Sequence, residues 1–214
     1  MFEEKRFASR RVPGEYLDYL SYRPEGEGKL PLLLYIHGAG SRGSDIKKLA
    51  HVGPLGELDK GRVIPAVLLA PQCHAETWFD LYTVLCEFIE SAIARDDVDP
   101  DRVYLTGSSM GGYTTWQLCI SHPEWFAAAV PVCGGGMYWE AHRLNDISIW
   151  AFHGEKDGCV LPEESVKMVN AINRLGGSAK LTLYPDVGHG AWEPAFADDE
   201  MWAWLFAQKK QRDA

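Results

Sequence analysis

The sequence predicts an α/β fold, with a mostly parallel central sheet and helices on both faces. Three observations carry this expectation. Short, continuous apolar runs recur along the chain, as in Leu32–Ile36, and suit strands buried on both sides. Stripes of helical period lie between those runs, as in Asp80–Arg95. The two patterns alternate, which is how a parallel sheet with crossover helices is written in a chain.

Residues 1–29 are polar and end in a Gly/Pro/Glu turn; within them, Glu15–Tyr22 alternates enough for a strand at a sheet edge. Leu32–Ile36 follows and ends in His37-Gly38-Ala39-Gly40. Val63–Ala70 is the next strand, with Pro65 tolerable near its start. Asp80–Arg95 is a helix with Leu81, Val84, Leu85, Phe88, Ile89 and Ala92 on one face. Arg102–Thr106 is a strand, and a helical stretch beginning YTTWQLCI follows the turn after it. Ala127–Cys133, Ile147–Phe152 and Lys180–Tyr184 complete the strands. Pro162–Leu175 is a helix that opens on proline and stops at Gly176-Gly177. A last helix is expected over Phe196–Gln208. With neither a repeat nor a linker in view, residues 1–214 are expected to form one domain.

Open sheets of this kind bind ligands beyond the carboxyl ends of their strands, so the loops there are informative. Gly107-Ser108-Ser109-Met110-Gly111 follows a strand and opens a helix, which is the context that G-x-S-x-G requires. A serine in so sharp a turn needs a strained backbone, and the flanking glycines remove side chains that would collide. The Met110 N–H can then face an oxyanion. Asp157 lies in the loop after Ile147–Phe152, and His189 in the loop after Lys180–Tyr184. The chain order Ser109, Asp157, His189 is that of the α/β-hydrolase arrangement and not of other serine hydrolases. Asp186, three residues before His189, is the rival acid, and Glu155, at the same strand end as Asp157, is the third candidate. Asp157 is preferred to Asp186, because a neighbouring strand end reaches the far side of the imidazole more easily than a residue three positions away on the same loop. The His37–Gly40 loop can aim a second N–H at Ser109, from Ala39 or Gly40, with Ala39 favoured because it directly follows His-Gly.

Gly38–Gly43 also matches the dinucleotide fingerprint G-x-G-x-x-G. That reading needs a helix to open at once and an acid at the end of the next strand. Asp59 has the distance but lies in a polar loop. His37 and His153, both in His-Gly strand ends, are expected to hold loops by hydrogen bonds and not to carry protons.

Composition narrows the partners. There are 21 Lys and Arg against 30 Asp and Glu, a net charge of −9, which disfavours nucleic acid and anionic membrane surfaces. The longest apolar runs fall far short of the roughly 20 residues of a spanning helix. The N-terminus, MFEEKRFASRR, is charged where a signal peptide is apolar, so a cytoplasmic location is expected. Five cysteines form no C-x-x-C pair and read as reduced thiols; no metal site and no cofactor are expected.

From Leu30 to Phe206 the chain resembles the α/β-hydrolase superfamily. The likeness is strongest to its small branch of carboxylesterases, dienelactone-hydrolase-like proteins and prolyl-oligopeptidase-type peptidases. It rests on LLLYIHGAG, APQC followed by Trp78, DPDRVYLTGSSMGGYTTW, FAAAVPVCGGG, WAFHGEKD and LYPDVGHGAW. The resemblance implies Ser109 as nucleophile, Asp157 as acid, His189 as base, and Met110 with the HGAG loop as oxyanion hole. Dienelactone hydrolases proper carry cysteine at the nucleophile position, so this chain departs from that activity.

The expected function is cleavage of small soluble carboxylic esters through an acyl-enzyme. A serine peptidase and a non-catalytic binding module on the same fold are the alternatives. Only Gly134–Asp146 is available where a lipase would insert a lid, so no large cap is expected. Trp78 and Trp192 are the preferred pocket walls, with Tyr138 and Trp139 as further candidates.

Overall fold

The computed structural model describes residues 2–210. Among the described residues, eight strands form one sheet: β1 (Glu3–Ala8), β2 (Tyr16–Tyr22), β3 (Leu30–Ile36), β4 (Val67–Pro71), β5 (Val98–Ser108), β6 (Ala128–Val132), β7 (Ser148–Gly154) and β8 (Ala179–Tyr184). Their spatial order is β1-β2-β4-β3-β5-β6-β7-β8. β1 and β2 run antiparallel to their neighbours, whereas β4, β3 and β5 through β8 are parallel. The α/β class and the mostly parallel sheet expected from the sequence are therefore present.

The helices are α1 (Gly53–Asp59), α2 (Tyr82–Ile93), α3 (Met110–Ser121), α4 (Glu163–Arg174), α5 (Trp192–Ala197) and α6 (Asp199–Ala207). Strand side chains alternate between the two faces, so β3 feeds two cores. Leu32, Leu34 and Ile36 pack with α2, α3 and α4 through residues such as Phe88, Trp116 and Met168. Leu33 and Tyr35 pack on the other face with Leu55 of α1, Phe196 of α5 and Trp202 of α6. Burial on both faces explains why β3 reads as an unbroken apolar run.

Four expectations need correction. β2 is not the edge, because β1 lies outside it; β1 is solvent-exposed apart from half-buried Phe7, so it carries no apolar pattern. α1 breaks the expected polar loop. The strand expected from Val63 begins at Val67: Val63 is largely exposed and Pro65 offers no N–H to a ladder. The last helix is two, since Asp198 leaves the helical conformation and caps α6 by accepting the N–H groups of Glu200 and Met201.

The chain steps from β3 to β4 on one side, then returns to β5 on the other. This reversal opens a crevice at the carboxyl ends of β3 and β5, the usual ligand position in open sheets. In-register pairing of Ile36 with Gly107, Ser108 with Val132, and Gly154 with Tyr184 brings the loops after β3, β5, β6, β7 and β8 to that one end.

Candidate active site

Ser109 stands between β5 and α3 with φ 57° and ψ −118°, a conformation that costs energy for a residue with a side chain. Close packing enforces it. A methyl group on Gly111 would lie 1.9 Å from the Ile36 carbonyl oxygen, and one on Gly107 would lie 2.4 Å from the Gly111 oxygen. The Gly-x-Ser-x-Gly spacing is thus a requirement of strand, turn and helix touching backbone to backbone.

His189 reaches this turn from the loop after β8. Its Nε2 is 2.8 Å from Ser109 Oγ, and its Nδ1 is 2.7 Å from Asp157 Oδ2. Asp157 is buried, and its Oδ1 accepts the N–H groups of Cys159 and Val160 at 2.9 and 3.0 Å. Burial alone would raise this carboxyl's pKa. The His189 contact and the two N–H groups outweigh it and hold the pKa below the ordinary value. Asp186 is exposed and pairs with Lys156 Nζ at 2.7 Å, and Glu155 is exposed; His189 pairs with Asp157.

Behind this row lies a contact that the sequence did not announce. His153 Nε2 is 3.3 Å from Asp157 Oδ2, with both side chains fully buried. The same nitrogen is 3.0 Å from the Val160 carbonyl oxygen, and Nδ1 is 2.8 Å from Ser165 Oγ. One carboxylate oxygen therefore faces two imidazoles. The only advance sign was the His-Gly strand end four residues before Asp157.

His37 is buried, and its Nδ1 is 2.7 Å from the Gly38 oxygen. Its Nε2 accepts the Cys73 N–H at 2.9 Å. Burial pushes its pKa down to about 4, so the ring is neutral near pH 7 and serves as a brace. The braced loop makes a short 3-10 turn at Ala39–Ser41 and packs Gly38 against Ser108 and Ser109. Arg42 Nε also donates to the Ala39 oxygen. A 3-10 turn of three residues is no dinucleotide helix, and Asp59 ends α1 beside His51. The glycine fingerprint here builds a tight loop.

A cavity of about 380 Å³ opens onto Ser109 and His189. Ala39 and Gly40 line it, as do Tyr35, Val52 and Trp192. Trp192 meets the His189 ring edge to face at 5.4 Å. Met110 opens α3 directly after Ser109, with its side chain packed on the core. Trp78 is not a wall. It is fully buried and donates its indole N–H to the His37 oxygen at 3.0 Å, so it supports the loop from behind. Tyr138 and Trp139 are not walls either; they lie half exposed on the 3-10 helix Tyr138–Leu144 and pack on each other. Tyr35 and Val52 were missed, because each reads as ordinary core until the loops fold over it. Among the described residues, Cys133, Asp157 and His189 offer metal-ligand atoms within 4.8 Å of one another.

The prolyl oligopeptidase family model matches residues 82–150 and 136–210, together more than half of the chain. The chain belongs to the prolyl oligopeptidase family. This family member is 33% identical over 149 residues to NocK of Nocardia uniformis subsp. tsuyamanensis, which is assigned as an esterase; the match covers 63% of this chain and 41% of NocK. It is 24% identical over 134 residues to dipeptidyl-peptidase 5 of Porphyromonas gingivalis, covering 45% of this chain and 20% of that protein. It thus spans less than half the length of either relative. Among solved structures, a thermostable esterase superposes with a TM-score of 0.83 at 31% identity, covering 98% of this chain and 63% of that one. Est1E from Butyrivibrio proteoclasticus superposes with a TM-score of 0.73 at 16% identity, covering 95% and 99%, and shares the fold. The proteins it resembles carry the names of esterases and of a peptidase.

Proposed function

We propose that this family member hydrolyses small, uncharged carboxylic esters through an acyl-enzyme on Ser109. The observation that carries the reading is the row Ser109 Oγ, His189, Asp157, joined by contacts of 2.8 and 2.7 Å at the mouth of one cavity. His189 Nε2 takes the proton of Ser109 as Oγ attacks the ester carbonyl. Asp157 keeps the other ring nitrogen protonated and stabilises the imidazolium. The N–H groups of Met110 and of Ala39 or Gly40 receive the oxyanion, each such donor being worth about 3 kcal/mol. The proton on His189 passes to the departing alkoxide. Water then enters, loses its proton to the same nitrogen, and releases the acid.

Ester in preference to peptide is supported by the lining. Among the described residues around the cavity, none carries a fixed charge, so nothing there would bind the ammonium or carboxylate of a peptide end. Tyr35, Val52 and Trp192 suit an apolar acyl or alkoxy group. The test is a chain-length series of p-nitrophenyl esters beside a peptide anilide, with labelling by a serine-directed fluorophosphonate. Ester turnover with labelling at Ser109 supports the reading. Faster cleavage of the anilide would make the protein a peptidase. Absence of labelling would make it a binding module.

A further inference from the structure

We propose that Cys133, Asp157 and His189 form a site for a soft divalent cation, zinc in kind, whose occupancy switches the hydrolase off. The binding stands on geometry alone; the inhibition rests on the reading of His189 as the base. Cys133 directly follows β6 and is fully buried. Its backbone has φ 41°, unusual for a residue with a Cβ, and its N–H is held by the Phe152 oxygen at 2.8 Å. This fixed turn puts the thiol among the groups that carry the proposed reaction.

A thiolate, an imidazole and a carboxylate make a donor set that zinc takes and that magnesium or calcium does not. Zinc binds such atoms at about 2.0–2.3 Å, which separates tetrahedral donors by about 3.5 Å. The three groups already lie within 4.8 Å of one another. Shifts of about 1 Å would bring them into place, and His189 is part-exposed on the cavity wall, which gives the ion a way in. A fourth position remains for water.

The proton balance is definite. A thiol carries its proton at neutral pH and binds metal as the thiolate, so the metal displaces that proton and one proton leaves to solvent per ion bound. On His189 the outcome is the same at either nitrogen. A metal on Nε2 occupies the lone pair that Ser109 needs. A metal on Nδ1 leaves the single ring proton on Nε2, which then cannot accept another.

The experiment follows p-nitrophenyl acetate hydrolysis and metal binding side by side. Zinc should inhibit the wild type, and a chelator should restore the metal-free rate. Cadmium, a soft stand-in with a visible bond, should give an ultraviolet thiolate-to-cadmium band and release one proton per ion. Cys133→Ser should abolish the band and raise the zinc concentration for half-inhibition about tenfold or more, each variant being scaled to its own metal-free rate. Cys159→Ser should retain both, although Cys159 is exposed and close in sequence to Asp157. Should Cys133→Ser fail to fold, the proton count and band of the wild type beside Cys159→Ser still decide. An active enzyme indifferent to zinc, or a band lost with Cys159→Ser, overturns the site and leaves the ester reading intact. A band without any ester hydrolysis sinks the ester reading and leaves the site standing.

Discussion

Gly111 sits where a methyl group would meet the Ile36 oxygen at 1.9 Å, so even the smallest side chain must push β3 and α3 apart. Gly111→Ala is expected to lower stability by about 3 kcal/mol, read from urea midpoints. At Ser109 the chemistry itself is at stake. Ser109→Ala should reduce kcat on the order of 10⁶-fold. Asp157→Asn should reduce it about 10⁴-fold, because the amide favours the wrong tautomer of His189. Asp186→Asn should leave kcat near the wild-type value, since Asp186 pairs with Lys156 on the surface; a loss matching that of Asp157→Asn would reverse the assignment of the acid. His153→Leu removes an imidazole from the buried side of Asp157. It should lower kcat while leaving KM unchanged, the mark of an interaction felt in the transition state. Ser109, Asp157 and His189 were legible because each ends a recognisable strand. The contact of His153 with Asp157 was not, because a buried histidine reads the same whatever lies 3 Å from it.

Whole elements were legible where their apolar pattern was strong. β3, with six of its seven residues buried, and α2, with its stripe, stand where the periodicity put them. β1 was illegible because its strand character comes from pairing with β2, and four of its first residues are charged and exposed. The split between α5 and α6 turns on one side chain. Asp198 accepts two N–H groups of α6, and the apolar spacing runs across the break. Asp198→Ala should therefore cost about 1 kcal/mol, measured by denaturation at neutral pH, with little effect on ester turnover.

The molecule as a whole stores a pH dependence in the loop that faces Ser109. His37 titrates at about 4 in the folded chain against 6.5 when exposed. Between those values the unfolded chain holds a proton that the folded one refuses, so stability is full above pH 6.5 and falls as pH drops towards 4. The loss amounts to roughly 3 kcal/mol for this group. Asp157, whose folded pKa is lowered, adds a loss of the same sign once pH falls through its own titration. Urea unfolding at neutral pH and near pH 4 should show the drop. His37→Asn, which has no proton to gain there, should show a smaller one.

The sequence by itself determined the class of fold, the succession of strands after β1, and three chemical groups at three strand ends. Those depend on local pattern: apolar runs, glycine spacing, and polar residues just past a strand. Tertiary structure alone decided which side chains face the cavity, keeping Trp192 of the expected walls, adding Tyr35 and Val52, and turning Trp78 inward. It alone set Cys133 and His153 against Asp157. The physical reason is that a side chain's neighbours come from strands distant in the chain. Their contacts are fixed by sheet register and loop packing, neither of which is written in any one segment.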